Sequence, residues 1–118
     1  MAEPSRPRAF AVRVYPSGVA PEWRPRADVY KTRTGWLVKF DLAGVHAQDV
    51  AVRVNGCRIS VSGSRRDSYL EEGSSYYLME ISYSRFERTI ELPCDLENPD
   101  VEMEFRDGML LVRIHTER

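Results

Sequence analysis

Residues 101–114 read VEMEFRDGMLLVRI, a stretch in which a two-residue turn separates two alternating runs. The apolar side chains fall at every second position: Val101, Met103 and Phe105 before the turn, and Leu110, Val112 and Ile114 after it. A period of two is typical of a β-strand with one buried face. Asp107-Gly108 favours a tight hairpin turn, because both residue types tolerate a positive φ. The stretch therefore predicts an antiparallel β-hairpin.

The same period recurs upstream, in the segments 28–32, 36–42, 50–54, 58–62 and 85–92. Arg33-Thr34-Gly35 separates the first two segments, and Asn55-Gly56, a strong hairpin signal, separates the third and fourth. No segment shows a sustained apolar period of 3.6 residues. Seven short strands joined by turns predict an all-β protein, built as an antiparallel β-sandwich.

The composition is that of one globular domain, with 118 residues of which 42% are hydrophobic and 30% charged. No apolar run is long enough for a transmembrane helix, and MAEPSRPRAF at the start lacks the shape of a signal peptide. A cytoplasmic location is therefore expected. In that reducing compartment, Cys57 and Cys94 are expected to be free thiols rather than a disulfide or a metal site.

Residues 1–26 differ from the rest of the chain. Residues 1–25 hold five of the seven prolines, and 1–26 carry five Arg against two Glu, a net charge of +3. Proline removes a backbone donor, so an arm is expected here, with AFAVRVY (9–15) as its one strand candidate. The arm is expected to lie on its own body, since no basic stripe with interleaved aromatic residues favours a nucleic-acid partner. No membrane partner is expected either.

Between Ser64 and Ile81 lie about seventeen residues, too many for an ordinary hairpin loop. They carry a large apolar load: Tyr69, Leu70, Tyr76, Tyr77, Leu78 and Met79. These side chains are expected to bury either on the body or on another subunit. Met109 and Leu111, on the parity opposite to the core positions of the last strand, are expected to face water. Such exposed apolar groups suggest a protein that binds apolar segments of other proteins.

Arg88 is out of place in its strand, because it shares the parity of the apolar residues Phe86, Ile90 and Leu92. Two interpretations stay open from the residues alone. The strand could face an interface where carbonyls or carboxylates pair with the guanidinium. Alternatively, a twist or bulge could return Arg88 to solvent.

Motifs of catalysis are lacking. The sequence contains no phosphate-binding GxxxxGK[ST], no GxGxxG and no GxSxG. His46 and His115 stand alone, without the spacing of metal ligands. An enzyme is therefore not expected, nor any catalytic residue, cofactor or metal.

Five pieces of the chain, in order, resemble the small heat shock proteins, specifically the α-crystallin domain in its bacterial form. They are EWRPRADVYKT (22–32), GWLVKFDLAGVHAQDVAVRVNG (35–56), RISVSG (58–63), MEISYSRFERTIELP (79–93) and FRDGMLLV (105–112). No piece is decisive alone. The ordered combination of DLAG, FxRxxxLP and a Gly-x-Leu turn is specific, and it spans nearly everything from Trp23 to Val112.

The resemblance implies an immunoglobulin-like sandwich over 27–115, between an arm at 1–26 and a short end at 116–118. It implies a stress-response chaperone that holds unfolding client proteins without ATP. A strand in the long loop would cross to the partner in a homodimer, with interface residues Tyr76, Tyr77, Leu78, Met79, Glu80 and Arg88. A groove for apolar segments would be lined by Val50, Val52, Val54, Val101, Met103 and Phe105. The arm would add contacts through Phe10, Val12, Val14, Tyr15 and Trp23.

The chain departs from the family pattern at three places. Ser84 stands where glycine is usual, which is expected to leave the fold unchanged, and Met103 stands where alanine is common, which affects the depth of the groove. The family's isoleucine-x-isoleucine tail motif is absent, so higher assembly is expected to be limited and the groove open. Two alternatives compete with the holdase: a p23-like adaptor without independent holdase activity, and an arm-dependent binder of nucleic acid or membrane surfaces.

Overall fold

The computed structural model describes residues 21–116, whose strands form two β-sheets around one core. The strands are β1 (Ala27–Lys31), β2 (Gly35–Asp41), β3 (Val50–Asn55), β4 (Arg58–Arg65), β5 (Ser84–Glu91), β6 (Asp100–Arg106) and β7 (Met109–His115). A 3₁₀ turn, Ala47–Asp49, precedes β3, and the described residues contain no α-helix. The prediction of an all-β, antiparallel sandwich is confirmed.

One sheet has four strands in the order β1-β2-β7-β6, with every pair antiparallel. β6 and β7 are the hairpin expected from residues 101–114, and Arg106 pairs with Met109 across its turn. The two turn residues have positive φ values, 55° at Asp107 and 79° at Gly108. That backbone is typical of a type I′ turn, whose twist matches the twist of the strands and so fixes their register.

The other sheet has three strands in the order β3-β4-β5, also antiparallel. Asn55 pairs with Arg58, so the hairpin turn consists of Gly56 and Cys57, one residue later than Asn55-Gly56. Gly56 supplies the positive φ of 63° that the turn requires. On β4, Gly63 is needed because a Cβ there would overlap the backbone carbonyl of Asp49.

The core lies between the two sheets. Its largest fully buried side chains include Phe40, Leu110 and Ile114 from the four-stranded sheet, and Ile59 and Phe86 from the three-stranded sheet. These residues come from the alternating runs of the sequence. The period of two therefore predicts the side chains that β2, β3, β4, β5 and β7 contribute to the core, whereas β1 has no fully buried residue.

The outer face of the four-stranded sheet differs from expectation. Leu111 was expected to face water but is only 8% exposed, and Met109 is half-buried. The cross-strand neighbours of Leu111 are Lys39 and Glu104. Long charged side chains cover apolar surface with their stems while their heads stay in water. The expectation of exposure was wrong because it treated this face as bare.

Cys57 and Cys94 form a disulfide bond, and their Cα atoms lie 5.9 Å apart. The expectation of free thiols was therefore wrong. The two cysteines are 37 residues apart in sequence, and they meet because β5 runs back along β4 to the β3–β4 turn. The Leu92 N–H donates to the Cys57 carbonyl at 2.9 Å, which brings the chain after β5 against that turn.

Candidate protein-binding surfaces

A groove lies between β3 and β6, which are edge strands of the two sheets. Its cavity has a volume of about 280 Å³ and is lined by Val54, Gly56, Glu97, Asn98, Pro99, Val101 and Met103. Three of the six predicted groove residues therefore line one cavity. Phe105 is half-buried against the core, whereas Val50 and Val52 belong to the core itself. The cavity is concentrated at the end of β3 next to the Gly56-Cys57 turn.

The two strands that flank the groove offer backbone groups as well as apolar side chains. Within the described residues, β3 and β6 each have a neighbouring strand on one side only. An edge strand presents N–H and C=O groups that can pair with another extended chain. An extended peptide that adds to either edge would place alternate side chains toward Val54, Val101 and Met103.

The connection 66–83 between β4 and β5 contains no strand. Its apolar side chains lie in solvent: Tyr69 is 91% exposed, Tyr77 103%, Leu78 72% and Ile81 61%. Tyr76 and Met79 are each 49% exposed, and Glu80 is exposed as well. The apolar load of this loop is thus not buried on the body, which was one of the two expectations. A cluster of exposed apolar groups on one segment is typical of a binding surface.

The loop folds back on itself through Asp67. The Tyr76 hydroxyl donates to Asp67 Oδ2 at 3.0 Å, and the Tyr69 N–H donates to Asp67 Oδ1 at 3.0 Å. The hydrogen bond from Tyr76 to this carboxylate raises the pKa of the Tyr76 hydroxyl above its ordinary value. This arrangement holds the first residue of the predicted swapped strand within its own chain.

Arg65 closes the base of the loop. Its Nε donates to the Ser82 carbonyl at 2.8 Å and its Nη1 donates to the Ala43 carbonyl at 2.9 Å. The same guanidinium lies 4.3 Å from the centre of the Trp23 ring, in cation–π range. No motif in the sequence predicted a role for Arg65; its one local signal is the Arg65-Arg66 pair where β4 ends.

Asp49 is the buried carboxylate beside the loop base, with a side chain only 4% exposed. The Arg66 Nη2 donates to Asp49 Oδ2 at 2.6 Å. A charge removed from water needs such a partner, because an unpaired buried charge is very costly. The pair ties the start of the loop to the 3₁₀ turn before β3.

β1 forms the outer edge of the four-stranded sheet. Val29 and Tyr30 on this strand are 44% and 42% exposed. The Nζ of Lys39 donates to the Tyr30 hydroxyl at 2.9 Å and lies 3.5 Å from Asp28 Oδ2. The bond to Tyr30, with a smaller contribution from Asp28, raises the pKa of Lys39. In the described part of the chain, β1 is therefore an open edge, and Lys39 of β2 holds the side chains of Tyr30 and Asp28.

Trp23 is the one predicted arm contact within the described residues; Phe10, Val12, Val14 and Tyr15 lie outside them. Trp23 pairs in parallel with Phe86 on β5, and the two ring centres are 5.0 Å apart. Its indole N–H donates to the Ser84 carbonyl at 3.0 Å. This pairing extends the three-stranded sheet beyond β5, until Pro25, which has no N–H to continue it.

Arg88 points inward, as its parity predicts. It pairs with Val61 in an uninterrupted register, so no bulge turns it to solvent. Its Nη1 donates to the Pro25 carbonyl at 2.9 Å. Its Nε is buried and has no hydrogen-bond partner among the described residues. A buried donor of this kind favours a further acceptor, such as a carbonyl or carboxylate.

The described residues offer no group of three or more His, Cys, Asp or Glu side chains that could hold a metal ion. His115 is hydrogen-bonded to Thr34 of the β1–β2 turn at 3.1 Å and to Glu102 of β6 at 3.3 Å. His46 is exposed. No helix in the described part of the chain is long and apolar enough to cross a membrane.

Residues 28–118 match the model of the Hsp20/alpha crystallin family. This range includes the edge strands β3 and β6, the groove between them and the long β4–β5 loop. The protein belongs to this family. It is 32% identical over 94 residues to Spore protein SP21 of Stigmatella aurantiaca, a match that covers 80% of this chain and 56% of that protein. It is 24% identical over 100 residues to Small heat shock protein C2 of Rickettsia felis, covering 85% and 65%. The chain thus spans less than two thirds of the length of these relatives.

Solved structures of small heat shock proteins share the fold. Heat shock protein 16.0 from Schizosaccharomyces pombe matches with a TM-score of 0.70 and 25% identity, covering 81% of this chain and 90% of that one. A small heat-shock protein from Xylella fastidiosa matches with a TM-score of 0.68 and 22% identity, covering 82% and 89%. The predicted resemblance and the α-crystallin type of β-sandwich are confirmed.

Proposed function

We propose that this small heat shock protein is an ATP-independent holdase chaperone, which binds apolar segments of unfolding proteins and prevents their aggregation. Family membership supports the proposal. The observation that carries it is the β3–β6 groove, in which Val54, Val101 and Met103 line one cavity between two edge strands. Apolar side chains beside edge backbone suit an extended apolar segment of another chain. The p23-like alternative is not favoured, because the similar structures are small heat shock proteins.

The groove between β3 and β6 is the proposed site for an extended apolar segment. Val54, Val101 and Met103 would contact its alternate side chains, while an edge strand would pair with its backbone. Because backbone pairing is independent of side-chain identity, the site would accept many sequences that alternate apolar residues. This tolerance suits a protein that holds diverse clients. The cytoplasmic location stays a prediction.

The proposed working unit is a homodimer in which residues 76–80 of one chain pair with β1 of its partner. Two observations support this arrangement: the exposure of Tyr77 and Leu78, and the open edge of β1. Arg88, whose Nε lacks an acceptor among residues 21–116, would then receive one from the partner. Glu80 is a candidate acceptor by its position in the swapped segment.

Light scattering of malate dehydrogenase during warming tests the holdase activity. We expect the intact protein to suppress the rise in scattering, and Met103→Asp to require several-fold more protein, because a carboxylate in the groove opposes apolar contact. Met109→Asp is the matched control, since Met109 lies on the opposite face of the same hairpin. The proposal is wrong if a molar excess of the intact protein leaves aggregation unchanged.

A further inference from the structure

We propose that the Cys57–Cys94 pair is a reversible redox-modification site that is opened by dithiols and that controls one wall of the β3–β6 groove. The wall segment is residues 93–99, which follow Leu92 in the connection between β5 and β6. The effect on the mobility of this segment stands on the geometry alone. The effect on binding rests on the proposed function of the groove.

The disulfide joins the two sides of one cavity. Cys57 is the second residue of the β3–β4 turn, and Gly56 beside it lines the cavity. Cys94 lies in the wall segment, whose residues 97–99 line the opposite side. The turn also lies close to the wall segment: a Cβ added to Gly56 would be only 3.1 Å from the Leu96 carbonyl oxygen. The state of the disulfide therefore acts on the shape of the cavity directly.

Apart from the disulfide and the partly buried Leu96, which packs against the core, few contacts hold the wall segment. It has no regular secondary structure, and its residues Asp95, Glu97 and Asn98 are exposed. Within the described part of the chain, its backbone donates one hydrogen bond, from the Cys94 N–H to the Leu92 carbonyl at 2.9 Å. A segment with few backbone bonds and few buried contacts opens readily once its covalent tether is cut.

The site can be reached and reversed by thiol–disulfide exchange. Cys94 is the less buried of the two cysteine residues, so one thiolate of a dithiol attacks its Sγ, the Sγ–Sγ bond breaks, and Cys57 leaves as thiolate. The second thiolate of the reagent then displaces Cys94 and closes a cyclic disulfide. The net change moves two electrons and two protons from the dithiol to the protein. The reduced Cys57 thiol has an acceptor in place, since its Sγ lies 3.8 Å from the Leu96 carbonyl oxygen.

The oxidised form is the tighter binder in this proposal. A tethered wall is ordered before a segment arrives, whereas a mobile wall loses conformational freedom on binding. Disulfides persist under oxidising conditions and open in reducing compartments. The groove would therefore hold apolar segments most tightly under oxidative conditions and release them when dithiols recover.

Hydrogen exchange of the whole chain tests the wall. Protein purified without reductant is expected to have no thiol that iodoacetamide can alkylate, and two after dithiothreitol. Amides of residues 94–98 are expected to exchange about tenfold or more faster after reduction, and to remain much less protected than those of β7, which exchange only through global unfolding. The double variant Cys57→Ser/Cys94→Ser should exchange at the reduced rate with or without dithiothreitol. Two free thiols in the air-oxidised protein, or equal exchange in both states, would overturn the proposal.

Binding of a fluorescent peptide of sequence AFAVRVY tests the consequence for the groove. We expect its Kd to rise about 3- to 10-fold on reduction of the intact protein and to be insensitive to dithiothreitol in the double-serine variant. Equal affinity in both states would overturn the link from wall to groove. Absence of binding in either state would count against the proposed groove and against the effect of reduction on its affinity. The exchange rates would still decide whether the disulfide controls the mobility of the wall segment.

Discussion

At the scale of single residues, Ser84 has a backbone that its side chain disfavours. Its φ is 78°, in the left-handed region where a Cβ costs about 1–2 kcal/mol. Two contacts hold it there: the pairing with Arg65 at the start of β5, and the indole N–H of Trp23, which donates to its carbonyl. The serine that departs from the family's usual glycine thus occupies a position where glycine is the better residue.

Ser84→Gly is therefore expected to stabilise the protein. Removal of the Cβ relieves the unfavourable φ, and the greater freedom of glycine in the unfolded chain offsets part of the gain. We expect the free energy of unfolding to rise by about 1 kcal/mol, measured by urea denaturation. Ser82→Gly, at a neighbour without positive φ, is the control and should be neutral or destabilising. A lower stability of the Ser84 variant than of the Ser82 variant would contradict this account.

Arg65 is the second residue whose chemistry is specific. Lysine keeps the charge but cannot donate from a planar fork to the carbonyls of Ala43 and Ser82 while it stacks on Trp23. Arg65→Lys is expected to lower the free energy of unfolding by about 2 kcal/mol, since one charge-assisted hydrogen bond to a carbonyl and the ring contact are lost. Urea denaturation measures the change. Arg53→Lys, on the exposed face of β3, should leave stability within about 0.5 kcal/mol; equal effects of both changes would argue against the contacts.

At the scale of elements, the sequence predicts those features that depend on residues close together in the chain. The hairpin around Asp107-Gly108 could be predicted because its turn residues and its alternation lie within one short stretch. The burial of Leu111 could not, because it depends on the side chains of neighbouring strands. The contacts of Arg65 and the Cys57–Cys94 bond join segments that are far apart in sequence. They could not be predicted without knowing the order of the strands in the sheets. The groove residues were predicted by resemblance; of the six, Val54, Val101 and Met103 line one cavity, and their role in binding stays a prediction.

The β4–β5 connection is an element whose removal separates fold from assembly. Excision of residues 68–79, bridged by a short Gly-Ser linker, keeps Arg66 on the buried Asp49 and removes most of the exposed apolar cluster. We expect a folded monomer by sedimentation equilibrium where the intact protein sediments as a dimer or larger assembly. Leu70→Ser, outside the predicted swapped strand, should retain the assembly of the intact protein. An excised protein that still sediments as a dimer would rule out the strand swap.

At the scale of the whole molecule, one covalent bond constrains the unfolded chain. The Cys57–Cys94 bond closes a loop of 37 residues, for which chain entropy gives a stabilisation of about 4 kcal/mol. That is a large share of the roughly 5–15 kcal/mol that holds a domain together. Dithiothreitol is therefore expected to lower the free energy of unfolding of the intact protein by about 3–4 kcal/mol in urea denaturation. The double-serine variant should unfold at the reduced midpoint whether or not dithiothreitol is present. A midpoint that reduction leaves unchanged would mean that the bond adds no stability, so the sandwich would depend on its apolar core and its strand pairing alone.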